Sequence, residues 1–343
     1  MITFLSFLIF LLIVWVILYF AGKRVITDYE IVPFNRNYSE LIKGYAILLV
    51  ILGHAGQYLG INGIEYPAGV GVSLFLIASG YGITKSEQNN GLKNYWNKKL
   101  KKIWIPYFIV EISGMFVSRS MYSPEKLLLD FLLIMPKHPF GWYLRFIVVC
   151  YLIFYLSWKL FKSSKMRFGC LLVLFIVWFM IRSTIWIDST PFLQARQMLA
   201  FPIGVCIANM PNEFLKKWGG RWNCIGSICF IMVGTGIYGF LHLEIITTNT
   251  LILYNAISLF TCTVCAMGII ILIDVWKLLQ NRGIKYVATV SYELYLVHGY
   301  TCCLLGNGYV ALGEFILFTI VGAIVLHYIV IWNRQIFRKL AQR

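Results

Sequence analysis

A lysine and a histidine, Lys43 and His54, stand in an otherwise apolar stretch of this chain, residues 41–60. The stretch predicts a helix, and at 100° per residue eleven steps bring the two side chains to within about 20° of one another, ~16 Å apart along the axis. One face then holds a fixed positive charge and a titratable nitrogen. A neutral imidazole suits a general base that takes a proton from a hydroxyl group.

The alternative interpretation of His54 is structural, with the ring hydrogen-bonded to a neighbouring helix. An ionisable group inside an apolar span is costly, however, and indicates a functional site. Lys43 on the same face favours the catalytic interpretation. So do Gly53 and Gly56, which allow another chain segment to approach closely.

The composition determines what kind of protein must position these groups. The chain has 343 residues, of which 59% are hydrophobic and 13% charged, with a mean hydropathy of +0.75. Such a chain is a polytopic membrane protein, because a soluble globule could not cover so much apolar surface. The net charge of +16 lies in short loops at membrane edges. It indicates membrane lipids as partners and no nucleic acid.

The apolar runs predict an all-α transmembrane bundle of about eleven spans, since runs long enough to cross ~30 Å of hydrocarbon recur along the whole length. Residues 1–35 form an N-terminal anchor (2–21) and link, and residues 36–343 form one membrane domain. Residues 127–135 are too short to span and predict an interfacial or re-entrant piece. The ten spans after the anchor are predicted at 41–60, 67–84, 103–118, 141–160, 169–187, 196–210, 222–241, 249–275, 286–305 and 311–332.

Loop charges predict the orientation. Alternate loops hold 23 Lys and Arg residues on one side and three on the other. The positive-inside rule makes the first side cytoplasmic, with the N-terminus outside and the C-terminus in the cytoplasm of a multi-pass plasma-membrane protein. Lys43 then lies near the cytoplasmic face and His54 beyond the midplane.

The nine cysteines fall mostly in apolar runs, where Cys behaves as a small hydrophobic residue. Cys262 and Cys265 form a C-x-x-C pair with no histidine nearby. We therefore expect neither a disulfide framework nor a metal site.

Two further clusters lie at the predicted cytoplasmic side. Lys98, Lys99, Lys101 and Lys102 precede the run that opens at Ile103. They are typical of an orientation signal, and they are also what a phosphorylated cytoplasmic ligand would bind. Ser79-Gly80-Tyr81 ends the second span, and its small residues also suit helix packing.

At the outer end of a later span, Trp142 and Tyr143 alone would be an aromatic belt, but Arg145 inside the span needs a partner, for which Glu111 and Glu293 are candidates. Ser291, Tyr295 and His298 follow i, i+4, i+7 spacing and share a helical face. The remaining histidines are interpreted as structural: His138, His242 and His327.

In order and spacing these stretches resemble acyltransferase family 3, integral membrane enzymes that move acyl groups, usually acetyl, from acyl-CoA to hydroxyls of surface glycans. The similarity covers about residues 36–332. The matching stretches are Lys43 and His54 with ten residues between them, FLIASGYGI (75–83), Lys99 and Lys102 before Ile103 and Pro106, Trp142-Tyr143-Leu144, and Ser291-Tyr292, Tyr295-Leu296 and His298.

The resemblance implies an O-acyltransferase with His54 as catalytic base or covalent acyl carrier, and with acetyl-CoA or another acyl-CoA as donor. Lys43, Lys99 and Lys102 would bind the donor's phosphates. At these positions the family more often has Arg. Lys keeps the positive charge but cannot form the two parallel hydrogen bonds of a guanidinium. The acceptor is expected to be a glycan or lipid-linked saccharide.

Candidates for substrate binding or for the oxyanion donor are Ser79, Tyr81, Trp142, Tyr143, Arg145, Ser291, Tyr295 and His298. Two other functions compete with the transferase. A transporter or proton-coupled permease would line a path with His54, Arg145 and His298, but it predicts internal repeats, and none is evident. The third is an inactive structural partner of a glycan-assembly complex.

Overall fold

The computed structural model describes residues 35–60, 65–118, 123–184, 191–211, 213, 221–241, 251–276, 279–304 and 306–341. The predicted anchor and His242 lie outside these residues. Within them the chain is helical and contains no strand. The all-α prediction is therefore confirmed.

The α-helices of the described residues are numbered along the chain. In chain order they are α1 (Arg36–Ala55), α2 (Glu65–Asn90), α3 (Tyr95–Lys99), α4 (Ile105–Ser118), α5 (Pro124–Phe131), α6 (Gly141–Leu160), α7 (Ser164–Thr184), α8 (Pro191–Arg196), α9 (Ala200–Ala208), α10 (Arg221–Leu241), α11 (Leu251–Val275), α12 (Arg282–Thr289), α13 (Ser291–Leu304) and α14 (Tyr309–Ala341).

In the described part of the chain, seven helices are long and apolar enough to cross a membrane: α1 with the 3₁₀ turn that follows it, α2, α6, α7, α10, α11 and α14. The three other core spans are shorter or broken. They correspond to α4, to α8 with α9, and to α12 with α13. The chain is a multi-pass membrane protein, and the number of eleven spans stays a prediction.

Each break has a local cause. A π-helical turn, Leu100–Trp104, precedes α4 just before Pro106, whose ring lacks an N–H. Residues 197–199 separate α8 from α9, and there the Gln197 side chain binds the Gly69 carbonyl oxygen of α2 at 3.0 Å. Val290 separates α12 from α13, after the Thr289 hydroxyl has turned back to the Tyr286 carbonyl.

Helix α1 is packed closely against α2, where Gly53 faces Ala68. A Cβ at Gly53 would lie 2.6 Å from that of Ala68, so the two helices touch through their backbones next to His54. At Gly80, α2 meets the backbone of α9 at Phe201 equally closely. The packing interpretation of the Ser79-Gly80 stretch is therefore correct for Gly80.

The segment before α6 is short and only partly covered. Helix α5 has eight residues, and the apolar side chains that it and the following turn expose include Leu128, Leu132, Ile134 and Met135. This agrees with the prediction of a segment that does not span. The chain then runs inward and brings residues 138–140 against α13.

Candidate active site

His54 lies at the end of α1, inside the bundle and not towards lipid. Its Nδ1 lies 2.8 Å from the Val50 carbonyl oxygen, one turn earlier. A carbonyl only accepts, so the neutral ring carries its proton on Nδ1 and a lone pair on Nε2. The ring centroid is 4.2 Å from that of Phe140 and 5.2 Å from that of His298.

His298 on α13 has the same tautomer. Its Nδ1 lies 2.6 Å from the Tyr295 carbonyl oxygen and 3.2 Å from that of Leu294. The ring is fully buried, and its Nε2 has no hydrogen-bond partner in the described part of the structure. His54 and His298, called the histidine pair below, thus present two adjacent imidazoles whose Nε2 atoms can accept protons.

Phe140 holds the histidine pair together, and sequence reasoning missed it. Its ring stacks on His298 with centroids 4.9 Å apart and planes at 8°. Its carbonyl oxygen accepts a hydrogen bond of 2.9 Å from the Tyr295 hydroxyl. Phe140 directly precedes the predicted helix that carries Trp142. This position is the only feature of the sequence that could have pointed to Phe140 as a site residue.

His138 anchors the loop that delivers Phe140. Its Nε2 lies 2.7 Å from the Leu296 carbonyl oxygen, while its Nδ1 accepts the Phe140 N–H at 3.1 Å. Both bonds require the neutral ring with the proton on Nε2. Burial lowers the pKa of His138 to about 4, which keeps this form at neutral pH. The structural interpretation of His138 fits these contacts, but the ring also positions the site.

The other end of α1 carries positive charge. Lys43, Lys99 and Lys102, called the lysine cluster below, lie close enough to repel one another. Among the described residues no carboxylate lies within 4 Å of any of the three, since Glu40 pairs with Arg36 and Lys285 instead. Glu40 opposes part of the charge on Lys43 from a greater distance. An excess of cations at one end of a bundle favours the binding of an anion.

Lys99 is the most buried member of the lysine cluster outside the spans. Its Nζ lies 4.0 Å from the centroid of the Tyr151 ring, and Ser79 is within hydrogen-bonding reach of the same tyrosine. Burial, with a smaller contribution from Lys98, lowers the pKa of Lys99 to about 8. Its charge is therefore sensitive to mildly alkaline pH.

A hydrogen bond joins the lysine cluster to the helix of His298. Tyr292 of α13 donates to the Ile103 carbonyl oxygen at 2.9 Å, in the turn that follows Lys102. Lys43 and His54 are linked through α1 itself. The structure thus arranges the predicted site residues as two groups at different depths, joined by two helices.

Several remaining candidates lie near the histidine pair. Tyr143 is buried, with its ring centroid 5.0 Å from that of Tyr295 and 6.3 Å from that of Phe75, and so is not a membrane-belt residue. Trp142 is half-buried, and its carbonyl oxygen accepts a bond from Gln194. Both belong to the outer wall of the site.

Two of the predicted oxyanion donors are engaged with the backbone. The Tyr295 hydroxyl donates to Phe140, and the single N–H of neutral His298 points at carbonyl oxygens. In this arrangement His298 offers an acceptor at Nε2 and no donor. Ser291 is buried on the same helix, two turns towards the lysine cluster.

Tyr81 and Arg145 are the two remaining candidates. Tyr81 is half-buried beside Lys85, whose Nζ lies 5.8 Å from its ring centroid. Of the two carboxylates considered as partners for Arg145, Glu111 accepts a bond from a tyrosine hydroxyl and Glu293 pairs with His327 at 3.0 Å. The Glu111 bond engages Oε2 only, and its buried Oε1 has no hydrogen-bond partner among the described residues.

Comparison with known proteins gives one match. The family model described as an acyltransferase domain matches residues 36–332, most of the chain and all of the described site. No curated protein and no solved structure is significantly similar to the chain.

Proposed function

Since the chain belongs to this acyltransferase family, we propose that it transfers an acyl group, most simply acetyl, from cytoplasmic acyl-CoA to a hydroxyl of an extracytoplasmic or lipid-linked saccharide. The family match supports a membrane acyltransferase. One observation supports the finer proposal: α1 connects a cluster of lysines that have no carboxylate within 4 Å among the described residues to an imidazole whose Nδ1 is engaged with a carbonyl, which leaves Nε2 to accept a proton.

The donor would bind by charge. The phosphates of acyl-CoA would lie on Lys43, Lys99 and Lys102, and the extended pantetheine arm would run along the bundle. The distance of ~16 Å between Lys43 and His54 along α1 suits an arm of that kind. The thioester carbonyl would then lie beside the histidine pair.

The chemical step needs a base at the acceptor hydroxyl. His54 Nε2 would take the hydroxyl proton as the oxygen attacks the thioester carbonyl, and coenzyme A would leave as the thiol after receiving a proton. Positioned proton transfer of this kind contributes typically ~10²- to 10⁴-fold to the rate. A covalent variant carries the acyl group on His54 Nε2 before the acceptor attacks.

The test is acyl transfer by purified protein in nanodiscs, with labelled acetyl-CoA as donor. His54→Gln replaces the imidazole with a polar amide of similar size that cannot act as a base. We therefore expect transfer to fall by about 10²- to 10⁴-fold. His327→Gln is the matched control, because that histidine pairs with Glu293 away from the histidine pair. It should keep normal activity.

The outcomes separate the three functions. Full activity of correctly inserted His54→Gln would refute the catalytic assignment. Proton or solute flux by wild-type protein in sealed vesicles without donor would support the permease, and no hydrolysis or transfer at all would support the structural partner. Mass spectrometry of cell-surface glycans with and without the protein then identifies the acceptor by its lost acyl mass.

A further inference from the structure

A second polar cluster lies on the side that the loop charges predict to be extracytoplasmic. It is built where α2 and α11 begin, α8 ends and α10 ends, and nothing in the transfer chemistry above uses it. The arginine-aromatic cluster, as it is called below, consists of the half-buried residues Tyr66, Phe192, Arg196, Tyr238 and Tyr254.

Arg196 is held in place by neutral groups. Its Nε donates to the Asn255 Oδ1 at 3.1 Å, and Asn255 in turn donates to the Ser183 hydroxyl at 3.2 Å. The guanidinium lies 4.7 Å from the ring centroid of Tyr254 and 5.7 Å from that of Phe192. Packing and one hydrogen bond thus fix the direction of the fork.

Among the described residues no carboxylate lies within 4 Å of the Arg196 guanidinium. A fixed, half-buried guanidinium suits a carboxylate or phosphate, which it can bind through two parallel hydrogen bonds.

An aromatic surface lies next to this cation. Tyr66 and Tyr238 stack with centroids 4.4 Å apart, and Tyr66 is fixed by donating to the Thr261 carbonyl oxygen at 3.2 Å. Tyr238 lies close enough to Arg196 to interact with it electrostatically, and exposed Glu65 lies at the edge of the cluster. Aromatic faces carry partial negative charge and attract the C–H groups of a sugar ring.

The cluster is close to the histidine pair. Gln197, directly after Arg196, binds the Gly69 carbonyl oxygen, next to the residue that packs on Gly53 beside His54. Gln194 donates to the Trp142 carbonyl oxygen at 3.3 Å on the other side. These contacts join α8 to α2, which packs on α1 beside His54, and to the start of α6, which follows Phe140.

We propose that the arginine-aromatic cluster binds an anionic saccharide acceptor, with a carboxylate or phosphate on Arg196 and the adjoining sugar ring on the Tyr66–Tyr238 pair. This deepens the proposed function and rests on it. The anion can be the carboxylate of an acidic sugar in a glycan or the phosphate of a lipid-linked sugar. Both would bind the Arg196 guanidinium through the same kind of charge-assisted hydrogen bonds.

The experiment compares an anionic with a neutral acceptor, using methyl glucuronide and methyl glucoside with labelled acetyl-CoA in phosphatidylcholine nanodiscs. Losing a hydrogen bond to a charged group typically costs ~1.5 to 3 kcal/mol, so Arg196→Gln should raise the KM for the glucuronide at least tenfold. The KM for the glucoside and the rate of acyl-CoA hydrolysis should not change. Arg196→Lys should recover part of the loss.

Two variants serve as references. Arg167→Gln is the matched control, because that arginine also lies over an aromatic ring, 5.8 Å from the Trp158 centroid, but pairs with Glu87 at the opposite end of the bundle. It should leave the ratio of the two KM values unchanged. Tyr238→Leu should raise both KM values equally, since ring stacking does not depend on charge.

An equal effect of Arg196→Gln on both acceptors, or none, overturns the inference. So does wild-type protein that hydrolyses acyl-CoA yet neither acylates nor binds the glucuronide. If the wild type shows no acyl-CoA chemistry, the proposed function fails, and equilibrium binding of the glucuronide by wild type and Arg196→Gln still decides this inference. Glucose 1-phosphate and nanodiscs with phosphatidylglycerol, used as competitors, separate a sugar phosphate from a lipid headgroup.

Discussion

Helix α1 connects two regions that handle charge in opposite ways. The lysine cluster gathers cations that repel one another and have no carboxylate within 4 Å among the described residues. In the histidine pair, backbone carbonyls accept a hydrogen bond from Nδ1 of each ring, which leaves each Nε2 to accept a proton. The first region is built to attract an anion, the second to accept a proton.

This difference has a kinetic consequence. Interactions that bind the donor equally in its ground and transition states change KM, while interactions made at the reacting atoms change kcat. Substitutions at the Lys43 end of α1 should therefore change the KM for acyl-CoA, and substitutions at the His54 end should change kcat. A variant that changes both parameters together would break the comparison.

The largest effect in this comparison is expected from Phe140→Ala. The ring lies against both histidines, so its loss lets them shift, and a misplacement of about 1 Å can cost ~10²-fold in rate. We expect kcat for acyl transfer to fall about 10²-fold with the KM for acyl-CoA unchanged. Steady-state kinetics at varied acyl-CoA measures both.

Phe131→Ala is the control for that experiment. It removes the same ring from the preceding helix, where Phe131 packs on Phe108 with centroids 4.5 Å apart and does not touch a histidine. Its kcat should stay within twofold of wild type. A comparable loss in both variants would mean that Phe140 acts through general stability and does not position the histidine pair.

The regions also differ in how far the sequence predicts them. Periodicity places Lys43 and His54 on one face of α1 because local geometry is enough for residues on a single helix. The meeting of His54 with His298 and Phe140 is different, since it depends on which helices pack together. The pattern of residues along one helix does not contain that information.

The same limit explains the span lengths. Hydropathy finds the apolar runs, but it predicts one continuous span at 286–305, where the structure has two helices separated at Val290. Individual side-chain hydrogen bonds accompany such breaks, a local one at Thr289 and a tertiary one at Gln197, and a composition window does not detect them. The breaks at Leu100–Trp104 and Val290 both adjoin predicted site residues.

The next prediction concerns the lysine cluster. Lys99→Gln and Lys102→Gln should each raise the KM for acyl-CoA about tenfold with kcat unchanged, because each removes one charge-assisted contact to phosphate. Lys101→Gln removes a charge from the same turn that is not part of the lysine cluster, and it should change KM less than twofold. A fall in kcat without a change in KM would place the lysines in the chemistry instead.

The pH dependence sharpens this prediction. The pKa of Lys99 is lowered to about 8, so its charge is present below pH 8 and is lost as the pH rises through that value. The KM for acyl-CoA should accordingly rise above pH 8 in wild type. Lys99→Arg stays charged and should abolish this rise. A rise that persists in Lys99→Arg would assign it to another group.

The smallest expected effect is on stability, at His138. Burial lowers its pKa to about 4, while the unfolded chain has a value near 6.5, so between these values the unfolded state binds more protons. Stability is then fully present above pH 6.5 and is lost as the pH falls below it. The contribution between pH 7 and pH 5.5 is about 1 kcal/mol.

His138→Asn removes this titration, so its stability should fall less steeply over that pH range than that of wild type. The measurement is the temperature of half-aggregation in detergent at pH 7.0 and 5.5. Other buried histidines add slopes of their own, and the difference between wild type and variant isolates His138. His327→Gln leaves His138 in place, so the contribution of His138 to the fall of stability with pH should be the same as in wild type. Equal slopes in wild type and His138→Asn would show that the ring does not stay neutral in the loop that carries Phe140, and the histidine pair would then lack the fixed support that sets it apart from the lysine cluster.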